Sequence, residues 1–244
     1  MIKVSVVIPC YNEEDSLPEL FKKLTSLSGL CEPRFELEYI FVNDGSRDGT
    51  ARLLEGFCRE RTADRVVSHE SNRGFGGALR SGLAAARGEW VVTIDADSNY
   101  NHMEIPILLD FIGKGADVVT ASPWGICDQK QNFPIHRYIY SRTLSWIYRR
   151  FLKRSAPDIH TFTSGFRLYR REVIETVEFR ADNFIATAEL LIRAIKAGYR
   201  VQEYPTTVYE RKFGHSKLKT LPTILGHLKL IRRLWLDQGF VTRK

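Results

Sequence analysis

Sulfur is scarce in this 244-residue chain, with two methionines and four cysteines. Cys10, Cys31, Cys58 and Cys127 are widely separated. They form no C-x-x-C pair and no Cys/His cluster with zinc spacing, so a structural zinc site is excluded and free thiols in a reducing cytosol are expected. No uncharged apolar run approaches the ~18–20 residues needed to span a bilayer. Met1-Ile2-Lys3-Val4 enters a strand-like run without a small-residue cleavage site, so no secretory signal is expected. Repeats, low-complexity tracts and clear linkers are also missing. Acid is absent from Gln129 to Pro157, which carries seven Lys/Arg, and nearly so from Arg211 to Lys244, where nine Lys/Arg meet only Asp237. These stretches dominate the net charge of +7 and predict that the C-terminal half faces something anionic.

What is present is an ordinary globular balance, 43% apolar and 27% charged, which excludes wholesale disorder. A chain of this length buries roughly 70% of its unfolded surface, enough for one substantial core. Over the first 120 residues strand and helix alternate. Strands are predicted at Val4–Ile8, Leu37–Val42, Arg65–Ser68, Trp90–Ile94 and Asp117–Thr120. Helices are predicted at Glu13–Leu27 with Asn12 as N-cap, Ser46–Arg61, Phe75–Ala86 and Glu104–Ile112. This order implies an α/β fold with a mainly parallel central sheet flanked by helices. Beyond it, Ser122–Phe133 reads as a long irregular loop of the kind that forms lids. His136–Leu152 reads as a basic, aromatic-rich helix and Thr161–Tyr169 as a turn and strand. Ala188–Ala197 reads as a helix, Arg200–Tyr204 and Thr207–Tyr209 as strands, and Leu218–Leu236 as an amphipathic helix. The expected organisation is a single domain, with a ligand-binding half at 1–121, a lid and second-substrate half at 122–217, and a basic amphipathic helix at 218–244.

In parallel sheets ligands sit beyond the carboxyl ends of the strands. Three polar clusters fall there: Pro9-Cys10-Tyr11-Asn12-Glu13, Asn43-Asp44-Gly45-Ser46 and Asp95-Ala96-Asp97. Two carboxylates one residue apart after a buried strand, with Asn99 adding an amide oxygen, suit a hard divalent cation such as Mg²⁺ or Mn²⁺. The alternative is that the aspartates only cap the next helix. Asp44 suits either a tight turn with a helix cap at Ser46 or a hydrogen bond to a nucleobase. Asn72–Gly77 has the glycines of a phosphate loop but lacks Gly-Lys-Ser/Thr and G-x-G-x-x-G spacing. Close packing of a glycine-rich helix start on the sheet explains it equally.

VSVVIPCYNE (4–13), VNDGSRDGT (42–50), NRGFGGA (72–78), IDAD (94–97), SGFRLY (164–169) and RKFGHSKL (211–218) occur in this order. Together they resemble family 2 glycosyltransferases of the GT-A fold, most closely the branch that transfers mannose or glucose to dolichyl or polyprenyl phosphate. The resemblance covers nearly the whole chain. It implies that Pro9, Tyr11, Glu13, Val42 and Asp44 hold the nucleoside of a nucleotide-sugar donor, with Asp95 and Ala96 near its ribose and phosphates. It implies that Asp97, with Asn99, holds the metal, that Arg137 and Ser141 bind phosphate, and that Arg211 and Lys217 close over the nucleotide. Glu189 falls where the family carries an acidic residue near the acceptor. Where the family often has Gln this chain has the shorter Asn99, and it lacks the family's lid arginine near Pro123-Trp124.

The implied reaction is a metal-dependent, inverting transfer from a GDP- or UDP-linked sugar to a polyprenyl phosphate. The implied place is the cytoplasm, as a soluble protein or one peripheral to the membrane's cytoplasmic face. A phosphate acceptor is largely dianionic at neutral pH and needs no strong base. A saccharide or small-molecule hydroxyl acceptor would need one, and Glu189 is the candidate. A non-catalytic nucleotide-sugar-binding protein is the alternative of another class. Nucleic-acid binding is disfavoured, since no aromatic RNA-binding motif or DNA-reading helix signature is present. The C-terminal helix, with leucines and isoleucines at helical spacing flanked by Lys219, Lys229, Arg232 and Arg233, fits either packing on the domain or an anionic lipid surface.

Overall fold

The apolar N-terminal run becomes β1 (Ile2–Cys10), a strand buried on both faces at the centre of the sheet. In this computed structural model, residues 1–124, 135–152, 158–209 and 220–236 are described. The other strands are β2 (Phe35–Asn43), β3 (Arg65–Ser68), β4 (Trp90–Thr93), β5 (Val118–Ser122), β6 (Arg167–Arg170) and β7 (Val201–Pro205). They form one seven-stranded sheet in the order β3-β2-β1-β4-β6-β5-β7. All neighbours are parallel except β6, which runs antiparallel to both β4 and β5.

The two faces follow the period-two alternation of a strand. Val4, Val6, Ile8, Val92 and Val119 meet α1 (Leu17–Cys31) and α4 (Ile105–Leu109) through Leu17, Leu20, Leu24, Leu27, Ile105 and Leu108. Val7, Val91 and Val118 turn to the other face. There they meet α3 (Gly74–Ala85), α5 (Ile135–Leu152), α7 (Ile185–Lys196) and α8 (Thr220–Leu236). Helix α3 packs tightly because Gly82 has no side chain: a Cβ there would collide with the side chains of Val7 and Val42. Ten of the twelve residues of α7 are buried, so it is an internal helix.

Several boundaries differ from the sequence reading. Helix α1 begins at Leu17 rather than Glu13, because Asn12 takes φ +52 and cannot cap a helix from there, while Pro18 favours a first helical turn. Helix α2 (Thr50–Arg59) begins four residues after Ser46, whose own N–H is used in a turn with Asn43. The helix expected over Glu104–Ile112 is a 3-10 turn (His102–Glu104) followed by the short α4, and turns at Gly113 and Gly115, both at positive φ, end the region. A short helix, α6 (Arg171–Thr176), follows β6 directly and was not foreseen. Thr207–Tyr209 is not a strand: β5 ends at Ser122, opposite Pro205, so no ladder remains for the chain to join.

Candidate active site

The carboxyl ends of β1, β2 and β4 bring the three polar clusters to one edge of the sheet. Their loops are tied to each other. Asp44 N–H donates to Cys10 O at 2.9 Å, Asn12 N–H to Ser46 Oγ at 3.0 Å, and Glu13 N–H to Thr50 Oγ1 at 2.8 Å. Arg47 N–H returns a bond to Asn12 Oδ1 at 2.9 Å. Glu13 accepts from Ser16 Oγ at 2.9 Å. Pro9, Tyr11 and Glu13 are half-buried along this rim, and Val42 and Ala96 are buried beneath it.

Asp44 is 3% exposed, and its Oδ1 accepts from Arg73 N–H at 2.8 Å and lies 2.7 Å from His69 Nδ1. The turn reading of this segment holds, since Asn43 Oδ1 accepts from Ser46 N–H at 3.1 Å. The helix-cap reading of Ser46 does not, since Asp48 Oδ1 receives Thr50 N–H, at the true start of α2. Gly45 at φ +67 is required twice over, because a Cβ would also meet the backbone of Ser71 and Asn72 at 2.5–2.6 Å.

Gly74 and Gly76 of the Asn72–Gly77 segment are committed to packing, against a loop rather than against the sheet. Gly76 N–H donates to Asp182 O at 2.8 Å, Gly74 N–H to Asn72 Oδ1 at 3.0 Å, and the Cα atoms of Gly74 and Gly76 face the carbonyls of Asp182 and Ala181.

Asp95 and Asp97 flank a tight turn at the end of β4, with Ser98 at φ +58. Such a conformation is uncommon for serine and is held by its surroundings, among them Lys23 Nζ, 3.4 Å from Ser98 Oγ. Asp97 is braced by Asn99, whose N–H donates to Oδ1 at 3.0 Å and whose Nδ2 donates to Oδ2 at 2.7 Å. A carboxylate only accepts, so the amide nitrogen faces Asp97 and the amide oxygen turns away. As placed, Asn99 orients Asp97 rather than sharing a ligand position with it. Gly165, at the turn entering β6, abuts Asp95, and a Cβ there would sit 2.9 Å from both carboxylate oxygens. His102 is fully buried under the turn and donates through Nε2 to Asp95 O at 3.0 Å. Burial and the Lys23 charge press its pKa down to about 4, so it is neutral. Burial first, then the charge of Asp95, pushes the Tyr100 hydroxyl up to about 12.

The donor set fits a cation shared with a substrate. No third His, Cys, Asp or Glu joins a metal-binding group among the described residues. Small hard cations are commonly held by one or two carboxylates plus substrate phosphates.

Other expected residues separate from this edge. Glu189 on α7 is wholly buried. Its Oε2 accepts from the N–H groups of Arg180 and Ala181 at 3.1 and 2.9 Å, and its Oε1 from Arg193 Nε and Arg233 NH2 at 2.9 and 2.7 Å. A carboxylate closed in this way is not placed to take a proton from an acceptor, which corrects the expectation of a general base there. Ser141 is half-buried on α5, and the α5 backbone carries Arg137, whose side chain lies outside the described residues. Arg211 and Lys217 also lie outside them. Before them, Tyr209 N–H donates to Asn99 O at 2.8 Å, tying the segment after β7 to the D-x-D turn.

Sequence reasoning missed His69, His102 and Arg167. Arg167 is wholly buried, and among the described residues it bonds neutral acceptors: Thr120 Oγ1, Tyr169 Oη and the carbonyls of Phe162 and Thr187. The one available signal was its place in SGFRLY.

A sheet of this order with a D-x-D turn at its carboxyl edge defines a GT-A fold. The sequence model of glycosyl transferase family 2 matches residues 5–178, and the chain belongs to that family. It is 32% identical over 243 residues to a dolichol-phosphate mannosyltransferase of Pyrococcus furiosus, covering 99% of this chain and 66% of that protein. It is 34% identical over 221 residues to a polyprenol monophosphomannose synthase of Mycolicibacterium smegmatis, covering 87% of this chain and 80% of that protein. Among solved structures, glucosyl-3-phosphoglycerate synthase of Mycobacterium tuberculosis, in complex with Mn²⁺, UDP and glucosyl-3-phosphoglycerate, superposes with a TM-score of 0.71 at 21% identity. It covers 100% of this chain and 82% of that one. The chain thus spans about two thirds of the length of the Pyrococcus protein.

Proposed function

We propose that the chain transfers a hexose, with inversion, from a GDP- or UDP-linked donor to a polyprenyl phosphate. The observation that carries this reading is the meeting of Asp44 and the Asp95–Asp97 turn at one sheet edge, in a chain about one third identical to proteins named for that chemistry. In this reading Asp44 accepts a nucleobase N–H, while Pro9, Tyr11, Glu13 and Val42 shape the nucleoside rim. Asp95 and Ala96 lie beside the ribose and phosphates. Asp97 and Asp95 would hold Mg²⁺ or Mn²⁺, which when bound offsets the charge that builds on the leaving diphosphate. Asn99 and Gly165 keep those carboxylates in place. Arg137, Ser141, Arg211 and Lys217 are the proposed phosphate ligands.

The burial of Glu189 supports a phosphate acceptor over a hydroxyl. A phosphate monoester needs no base, and the one expected base is sealed inside the protein. The acceptor's lipid tail suits α8, whose outer face shows Leu225, Leu228, Lys229, Arg232 and Leu236. Leucines and cations on one exposed stripe fit the cytoplasmic, anionic surface of a membrane. No helix among the described residues is long and apolar enough to cross it.

The test offers GDP- and UDP-hexoses with Mn²⁺ to the protein, with polyprenyl phosphate or a simple saccharide as acceptor. Sugar recovered in the lipid phase, and none in the saccharide, is expected. Transfer to the saccharide alone would overturn the acceptor assignment, and donor binding without any transfer would leave a binding protein.

A further inference from the structure

Asp44 has two carboxylate oxygens in very different positions. Oδ1 is shared by His69 and Arg73 N–H, whereas no hydrogen bond among the described residues reaches Oδ2. The carboxylate is nearly buried, and so is His69 at 7% exposure. His69 sits just after β3, its own N–H donating to Asn43 O at 2.9 Å. The far side of its ring, Nε2, lies 2.8 Å from Ser81 Oγ on α3. The carboxylate can only accept, so Nδ1 carries a proton toward Asp44, while Nε2 shares a hydrogen bond with the serine hydroxyl. Ser81 is itself anchored, because the next residue, Gly82, lies flat on Val7 and Val42 of the sheet.

From this geometry we propose that His69 is a positioning residue for donor recognition. It clamps Asp44 Oδ1 between α3 and the β2 turn, so that Oδ2 is the oxygen offered to a nucleobase N–H. The inference rests on the reading of Asp44 as the base-contacting carboxylate and adds the residue that orients it. A carboxylate free to turn about its Cβ–Cγ bond would offer either oxygen, in a range of directions, to a ligand. Held at Oδ1 by a ring and a backbone N–H, it presents one acceptor in one direction, which is what distinguishing one base edge from another requires. The ligand class is a nucleobase with an imide or amide N–H beside its ring carbonyl, as in uracil and guanine.

The experiment measures binding of UDP, GDP and inorganic pyrophosphate, each with Mn²⁺, by titration calorimetry. The proteins are wild type, His69→Phe, His69→Asn, Ser81→Ala and Asp44→Asn. Phenylalanine keeps the ring and loses both bonds. Asparagine places an amide nitrogen near the Nδ1 position and so keeps donation to Asp44 alone. His69→Phe is expected to weaken the preferred nucleotide about tenfold and to narrow the UDP/GDP ratio, leaving pyrophosphate unchanged. His69→Asn should recover most of that loss, and Ser81→Ala should cost less than about threefold. Equal losses for pyrophosphate and nucleotide, or no recovery in His69→Asn, would overturn the proposal in favour of a purely structural histidine. Wild-type nucleotide affinity in His69→Phe beside a loss in Asp44→Asn would overturn it while keeping Asp44 at the base. Wild-type affinity in Asp44→Asn would overturn the underlying reading, and this one with it.

Discussion

Two carboxylates of this chain that the family resemblance assigns to the site have opposite surroundings in the structure. Asp97 stands just after a strand, half-exposed, with Asn99 bonding both of its oxygens. Glu189 stands inside a buried helix with two backbone N–H groups and two guanidinium groups around it. The first lies in the turn at the carboxyl edge of the sheet. The second has a charge spent on holding three segments together: the 180–181 loop, α7 and α8. Burial separates the two carboxylates, and it is not visible in residue type.

The sharpest way to break this contrast is Asp97→Ala. Transfer should fall by about 10²–10³-fold or more, the scale for losing a preorganised electrostatic group. The melting temperature should move by less than about 2–4 °C, the equivalent of about 1 kcal/mol in a chain of this size. Wild-type turnover, or full activity of the native protein in EDTA, would remove Asp97 from the chemistry.

Glu189→Gln should show the opposite profile. It removes the carboxylate that Arg193 and Arg233 share. Breaking a fully buried pair costs about 3–5 kcal/mol, and water can reach the half-exposed Arg233, so about 2–3 kcal/mol is expected here. Denaturant unfolding should report that loss. Turnover per folded molecule should stay within about threefold of wild type, since a general base would be worth about 10²–10⁴-fold.

A smaller effect sharpens the architectural side. His227 on α8 lies 2.6 Å from the hydroxyl of Tyr148 on α5, and burial presses its pKa down to about 4. The folded pKa lies below the ordinary imidazole value of 6.5, so between about pH 6.5 and 4 the unfolded chain binds the extra proton. Stability is therefore fully present above pH 6.5 and drains as the pH falls through that window. The slope is at most about 1.4 kcal/mol per pH unit for one group. His227→Gln should flatten that slope in urea melts between pH 6.5 and 4.5. An unchanged slope would show that His227 titrates normally.

The sequence made the parallel half legible because strands buried on both faces leave continuous apolar runs, and β1 and β3 fall within two residues of their expected positions or on them. It made the D-x-D turn and Asp44 legible because both sit at strand ends, where any parallel sheet gathers its polar residues. It hid α6, since six residues after a strand show too little periodicity to read. It hid the insertion of β6 between β4 and β5, because pairing between strands far apart in the chain leaves no local mark. His69 and His102 were hidden for the same reason: their partners, Asp44, Ser81 and Asp95, lie 7 to 25 residues away and meet them only through the fold.

The antiparallel β6 also bears on how the chain is made. At the ribosome, residues 1–121 emerge with β4 lacking its outer neighbour and with β5 lacking any strand to join, since β5 pairs only with β6 and β7. The sheet stays open along β4 until Arg167–Arg170 has been synthesised, and open edges of apolar strands invite wrong pairing. β6 therefore ties the two halves named from the sequence into one sheet. A nascent chain halted between residues 121 and 166 would expose β4 and an orphaned β5.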